Sequence, residues 1–138
     1  MTDLNAMVRR MFQEVIVGGN LALVDELVAD DFKTEMPTPV PGKEGFRQVV
    51  KAWRAAFPDM TMTFNDVLVS GDKVTTRGVI RGTHKGEFNG IPATGKRVEA
   101  RFIDIWQARN GKFVENWVQI DMLSMLTQLG VVPPPPAK

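Results

Sequence analysis

Two aspartates, Asp104 and Asp121, stand among aromatic and amide side chains near the carboxyl end of the chain, and carboxylates in such company can move protons. Asp121 ends the run Glu115-Asn116-Trp117-Val118-Gln119-Ile120-Asp121, which leads into the apolar segment Met122-Leu123-Ser124-Met125-Leu126. Strand side chains alternate faces, so regular alternation puts Glu115, Trp117, Gln119 and Asp121 on one side and Asn116, Val118 and Ile120 on the other. A tryptophan among acids and an amide, with aliphatic residues opposite, reads as a concave pocket with an apolar wall and a few polar contacts. The plainer alternative is a half-exposed strand whose tryptophan is partly covered.

The preceding strand adds to that face. Asn110-Gly111 is a strong two-residue hairpin signal. With Arg109 opposite Lys112, a regular ladder opposes Asp104 to Trp117, Phe102 to Gln119, Trp106 to Glu115 and Ala100 to Asp121. The pocket face then gathers Phe102, Asp104, Trp106, Glu115, Trp117, Gln119 and Asp121. Ile103, Ile105, Val118 and Ile120 form an aliphatic back. A one-residue slip would invert half of this assignment. Burial raises a carboxylic acid above its reference value of about 3.9 and makes it a better proton shuttle near neutrality. Each acid also has a structural explanation. Asp104 could accept hydrogen bonds from backbone or from Trp106, and Asp121 could cap the helix that follows. His84, before Lys85-Gly86 at a strand end, is either a surface residue or part of the pocket rim. Trp53 joins the candidate substrate contacts from a helix stripe, while the methionines read as core or adaptable lining.

Composition excludes several classes. The 138 residues suit one domain, long enough to bury about two thirds of its unfolded surface. The formal net charge is +1 and no basic block exceeds Lys96-Arg97, so nothing suggests nucleic-acid binding. The absence of cysteine and the single histidine rule out disulfides, a thiolate nucleophile and a multi-histidine metal site. The amino terminus lacks a signal-peptide pattern, and no apolar run approaches the roughly 18 residues of a membrane span. The expectation is a cytoplasmic protein with no membrane partner.

Helices precede strands. Leu4, Met7, Val8, Met11, Phe12, Val15 and Ile16 mark an amphipathic helix over 3–17, capped by Thr2 or Asp3 and ended by Gly18-Gly19. Asn20 should cap a short second helix through Val28, broken by Asp30-Asp31 before a strand at 32–36. Pro37, Pro39, Pro41 and Gly42 make a loop. A third helix over 43–57 carries Phe46, Val49, Val50, Trp53 and Phe57 on one stripe. Strands follow at 61–69, 73–83, 98–108 and 112–121, with a loop over 86–95. A closing helix spans 122–129, with Gly130 as terminator. The domain is expected over 1–130, with a proline-rich flexible tail over 131–138. This order implies an α+β cone, a curved antiparallel sheet wrapped around N-terminal helices, its convex face covered by a second copy of the chain.

The strings Gly82-Thr83-His84-Lys85-Gly86-Glu87-Phe88, Gly90-Ile91-Pro92-Ala93-Thr94-Gly95-Lys96-Arg97-Val98 and Asn110-Gly111-Lys112-Phe113-Val114-Glu115-Asn116-Trp117 resemble the SnoaL-like polyketide cyclases. Phe57-Pro58-Asp59-Met60, Ser70-Gly71-Asp72-Lys73-Val74, Asp121 and Gln128-Leu129-Gly130 extend the resemblance over nearly the whole chain. It implies the nuclear-transport-factor-2-like cone and an intramolecular aldol ring closure of an aromatic polyketide ester. It also implies an aspartate acid/base that falls on Asp121, and no metal or organic cofactor. Many members have His then Trp-Asp where this chain has Asn116, Trp117 and Val118, and many have a histidine near Glu35-Met36.

The resulting expectation is a cofactor-independent enzyme acting on a small hydrophobic carbonyl compound. Asp121 would serve as acid/base, with Gln119 and the indole N–H of Trp117 or Trp106 stabilising an enolate oxygen. An isomerase or dehydratase using one carboxylate, an epoxide hydrolase, and a binding cone without catalysis are the alternatives. The epoxide hydrolase would require Arg101 to face inward.

Overall fold

The computed structural model describes residues 3–133. Helix α1 (Leu4–Arg10) starts at Asp3, whose carboxylate accepts the Ala6 N–H at 3.0 Å, and continues as a π-helical segment over Met11–Val17. Of the stripe expected from the sequence, Leu4, Met7, Val8, Met11, Phe12 and Val15 are buried and Ile16 is partly buried. A single 3-10 turn (Leu21–Leu23) leads into the short α2 (Val24–Leu27), and Asn20 makes no side-chain cap. Strand β1 (Val28–Thr34) begins earlier than the sequence suggests. Asp30 and Asp31 lie within it, exposed, because their side chains sit beside water at a sheet edge and need not break the chain. Lys43 reaches Asp30 and Asp25, each at 2.8 Å. Helix α3 (Gly42–Ala56) follows the proline loop and buries Phe46 and Val50.

Strands β2 (Thr61–Ser70), β3 (Lys73–Thr83), β4 (Arg97–Arg109) and β5 (Lys112–Ile120) complete a curved open sheet in the order β1-β5-β4-β3-β2. All neighbours are antiparallel except β1 and β5, which run parallel. Helix α4 (Met122–Gln128) follows β5. Most of the expected tail, residues 134–138, lies outside the described residues, while the Val131 N–H still bonds the Leu126 carbonyl at 3.0 Å. Among the described residues no helix is long and apolar enough to cross a membrane.

The core lies between the helices and one face of the sheet. On β4 the even-numbered residues from Val98 to Ala108 are buried, whereas Ile103 is 53% exposed. Phe12 of the π-helical segment packs against Phe102 and Trp106, with ring centroids 5.7 and 6.0 Å away. Gly78 opposes Phe102, and a Cβ there would stand 2.0 Å from the Thr63 carbonyl and 2.9 Å from the Phe102 ring. Any larger residue would have to displace the β2 backbone at Thr63 before it pressed on that ring.

The β4–β5 hairpin turns at Asn110-Gly111 as expected, both with positive φ, and opposes Arg109 to Lys112 and Ala108 to Phe113. The ladder then shifts, because Val114 is an extra residue and Gln107 opposes Glu115. This bulge overturns the regular register expected for β5. Trp106 pairs with Asn116, Ile105 with Trp117, Asp104 with Val118, Ile103 with Gln119 and Phe102 with Ile120. Asn116, Val118 and Ile120 therefore face the cavity, while Glu115, Trp117 and Gln119 face outward. The expected aliphatic back keeps Ile103 and Ile105 but loses Val118 and Ile120.

Deleting Val114 would remove the bulge yet leave Glu115 opposite Gln107 and Asn116 opposite Trp106, so Asn116, Val118 and Ile120 would still face inward. The expected outcome is a retained cooperative thermal transition by circular dichroism. Val114→Ala, which keeps the residue count, should cost less than about 1 kcal/mol. A deletion variant with no cooperative transition would contradict the assigned register, because only in a ladder without the bulge would the deletion exchange the two faces.

Candidate active site

The sheet, the helical face and the loop after β1 enclose an apolar chamber of about 70 Å³, lined mainly by Phe12, Phe46, Val50, Met60, Met62, Ile80, Phe102 and Trp106. Asp104 and Asn116 are the only carboxylate and amide side chains among its lining residues. Met36, Val49, Trp53, Val118 and Ile120 also line a wider mouth of about 310 Å³, completed by Pro37, Phe88, Asn89, Gln119 and Met122. The chamber alone is smaller than the roughly 300 Å³ lower bound of ordinary ligand sites, whereas chamber and mouth together reach that range. A ligand thus has room to place only a few atoms deep, with its remainder in the mouth.

Asp104 is 4% exposed and directly opposite Thr76 of β3, itself fully buried. The Thr76 hydroxyl donates to Oδ1 of Asp104, and the Trp106 indole N–H donates to Oδ2 at 3.0 Å. Burial raises the Asp104 pKa to about 6, the two hydrogen bonds opposing that rise. The carboxyl is therefore poised to change protonation near neutrality, inside a space otherwise walled by hydrocarbon. The donor from Trp106 is the structural explanation weighed from the sequence, and it coexists with the cavity-facing position. It also commits that N–H, leaving Trp106 unable to hold an enolate oxygen without releasing Asp104.

Asn116 is 1% exposed, and among the described residues neither its Nδ2 nor its Oδ1 has a hydrogen-bond partner. The sequence reading put this residue on the wrong face. The signal was a break in parity: Phe113, fully buried, and the pair Val118 and Ile120 cannot share a face without a bulge between them. Thr76 carries no sequence signal of its role, which depends on cross-strand pairing with Asp104.

The other candidates separate. Phe102 and Trp53 line the cavity with Asp104 and Trp106. Trp117 lies on the outer face, with Lys73 Nζ 5.8 Å from its ring centroid. Gln119 is exposed at the edge of the mouth, and Glu115 borders a separate surface hollow with Lys33 and Lys112. Neither Trp117 nor Gln119 reaches the chamber, so the polar contacts expected from them are absent there.

Asp121 caps α4, its Oδ1 accepting the Ser124 N–H at 3.1 Å and its Oδ2 standing 3.8 Å from Arg101 Nη2. It borders a groove on the outer side of the sheet with Arg77 and Ile103 rather than the chamber. Arg101 is 82% exposed at its side chain, so no Asp–Arg–Asp cluster faces inward.

His84 is fully buried but lines neither chamber nor mouth. Its ring packs 5.6 Å from Phe57, its Nδ1 accepts the Thr94 N–H at 3.2 Å, and Nε2 has no partner. Both sequence readings, surface and pocket rim, are corrected. The loop after β3 folds back over the ring, with Gly95 N–H donating to the His84 carbonyl at 2.8 Å.

Comparison with known proteins agrees with this architecture. TsrD from Streptomyces laurentii is 27% identical, with a TM-score of 0.86, over 94% of this chain and 96% of that one. IdmH from Streptomyces antibioticus, described as a candidate polyketide cyclase, is 36% identical, with a TM-score of 0.78, over 92% and 98%. AclR from Streptomyces galilaeus, described as a candidate hydroxylase, is 25% identical, with a TM-score of 0.80, over 96% and 83%. No functionally curated protein matches the sequence. The sequence model of the SnoaL-like polyketide cyclases matches residues 6–129, and the chain belongs to that family.

Proposed function

We propose that the protein is a cyclase that closes a ring in a hydrophobic, polyketide-like carbonyl compound, with Asp104 rather than Asp121 as the acid/base. The observation that carries this reading is a carboxyl of raised pKa at the floor of an apolar chamber open through a wider mouth. The Asp104 carboxylate takes a proton from a carbon flanked by carbonyls. The resulting enolate carbon attacks a second carbonyl of the same molecule, forming the ring bond while the carbonyl electron pair moves onto oxygen. Protonated Asp104 then returns its proton to that alkoxide, so the step is balanced and consumes no cofactor. Binding in the mouth supplies the near-attack geometry, worth several kcal/mol of barrier. An isomerase would use the same carboxyl and differ only in returning the proton to another carbon.

The outer sheet face supports a dimer. Leu68 is 63% and Ile103 53% exposed, and Ile105 and Trp117 lie on the same face. A second copy of the sheet would cover this apolar stripe. Ile103→Glu should convert a dimer to monomer in sedimentation at micromolar concentration, and a wild-type monomer under those conditions would refute the dimer.

Assays on aromatic polyketide esters test the chemistry. Asp104→Asn should lower turnover roughly 10²–10⁴-fold with ligand binding retained. Asp121→Asn remains a good cap and should cost only a few tenths of a kcal/mol with turnover nearly intact. The reverse ranking would return the acid/base role to Asp121. For general-base attack the rate should rise with pH and level off above about 6.

Stability provides a check that needs no substrate. The folded-state pKa lies above the ordinary 3.8, so folding favours the protonated acid. That contribution is complete below 3.8 and lost as pH rises to about 6. The stability of wild type relative to Asp104→Asn should therefore fall across this window, by up to about 3 kcal/mol. A flat difference would show that Asp104 is not buried as described.

A further inference from the structure

We infer that Asn116 is a bidentate recognition group for the substrate, selecting a carbonyl compound that presents a hydrogen-bond donor beside its carbonyl oxygen on one edge. An enolised dicarbonyl, a hydroxy-ketone and a lactam share that chemistry. The inference rests on the cyclase reading of the cavity and specifies its substrate class.

The side chain is 1% exposed, and both ends of its amide lack a partner. Native proteins rarely leave even one such atom unpaired, because each costs the full desolvation of the group. Residue 116 lies directly opposite Trp106 and next to Thr34 of β1. The Trp106 indole N–H is given to Asp104, and the Thr34 hydroxyl oxygen accepts the Met36 N–H at 3.2 Å. The remaining surroundings along the cavity are aliphatic, thioether or aromatic.

The chamber thus contains two polar side chains of opposite condition. Both oxygens of Asp104 already accept protein donors, whereas neither end of the Asn116 amide has a partner among the described residues. On one face of a sheet, Asp104 and Asn116 are diagonal cross-strand neighbours, about 7–8 Å between backbones. A reacting carbon between them could meet the carboxyl while its carbonyl oxygen takes the amide N–H. The amide oxygen then requires a donor from the same molecule. An enol O–H or a lactam N–H beside the carbonyl meets that requirement, and a simple ketone does not. In a dry chamber each such bond is stronger than in water, so the discrimination should be large.

The test uses 2-quinolinone, which carries N–H and C=O on one edge, against 1-methyl-2-quinolinone, which lacks the donor. Binding is read by quenching of the cavity tryptophans, Trp53 and Trp106. Wild type should prefer the unmethylated probe by roughly tenfold or more. Asn116→Leu, close in shape but apolar, should abolish that preference while the ligand-free protein melts at the same or a higher temperature, since two unpaired buried atoms are removed. Asn116→Ala supplies a second variant, read by the binding preference alone. An unchanged preference in either variant, equal binding of both probes by wild type, or a lower melting temperature for Asn116→Leu would overturn the inference. Asp104→Asn should keep the probe preference. Full turnover in Asp104→Asn with preference lost on changing Asn116 would refute the acid/base reading alone, and the converse would refute this one alone.

Discussion

A carboxyl group taken out of water must be neutralised, paired with a charge or solvated by the protein, and Asp104 has no cation within its cavity. Thr76 and Trp106 supply one donor each, and these two bonds are what allow the acid to stand on the inner face of the sheet. Much of the surrounding packing follows from holding them. Trp106 must lie with its N–H toward β4's own residue two places back, which sets its ring against Phe12, Phe32, Phe46 and Phe113 at centroid distances of 5.0–6.0 Å. That cluster joins helices, edge strand and hairpin into one core around the acid. Burial still outweighs the two donors, which leaves the group titrating near neutrality instead of in the ordinary carboxylate range.

The second constraint is the extra residue Val114. It reverses the parity of β5 midway, so that Phe113 packs beneath Trp106 and Asn116 still faces inward further along. Family members that carry His and Asp at the positions of Asn116 and Val118 would, with the same register, point both side chains into the cavity. Here the first is a neutral amide and the second an isopropyl group. The single acidic group left in the chamber lies on the neighbouring strand.

Several parts of this arrangement were legible in the sequence. The inner face of β4 followed from strict alternation, and the Asn110-Gly111 turn from its residue types. The helix-then-strand order followed from the change in hydrophobic period. The face of β5 was misread because a ladder pattern assumes one residue per rung, and only the conflicting parity of Phe113 against Val118 and Ile120 hinted otherwise. The burial of His84 was hidden for a different reason. It depends on a nonperiodic loop returning through Thr94 and Gly95, which no local pattern announces. Asp121 was recognised as a good cap and also as a family aspartate. Its hydrogen bond to Ser124 and its position outside the chamber show the first role directly.

The central claim is that Asp104 is the proton-transferring acid of an apolar chamber. The most direct measurement is a carbon-13 NMR titration of the side-chain carboxyls, with the Asp104 resonance assigned by its disappearance in Asp104→Asn. The account predicts that this resonance titrates at about 6, well above the other aspartates, and shifts when 2-quinolinone occupies the cavity. A resonance for Asp104 that titrates at or below 3.8, or that ignores a ligand bound in the chamber, would contradict it.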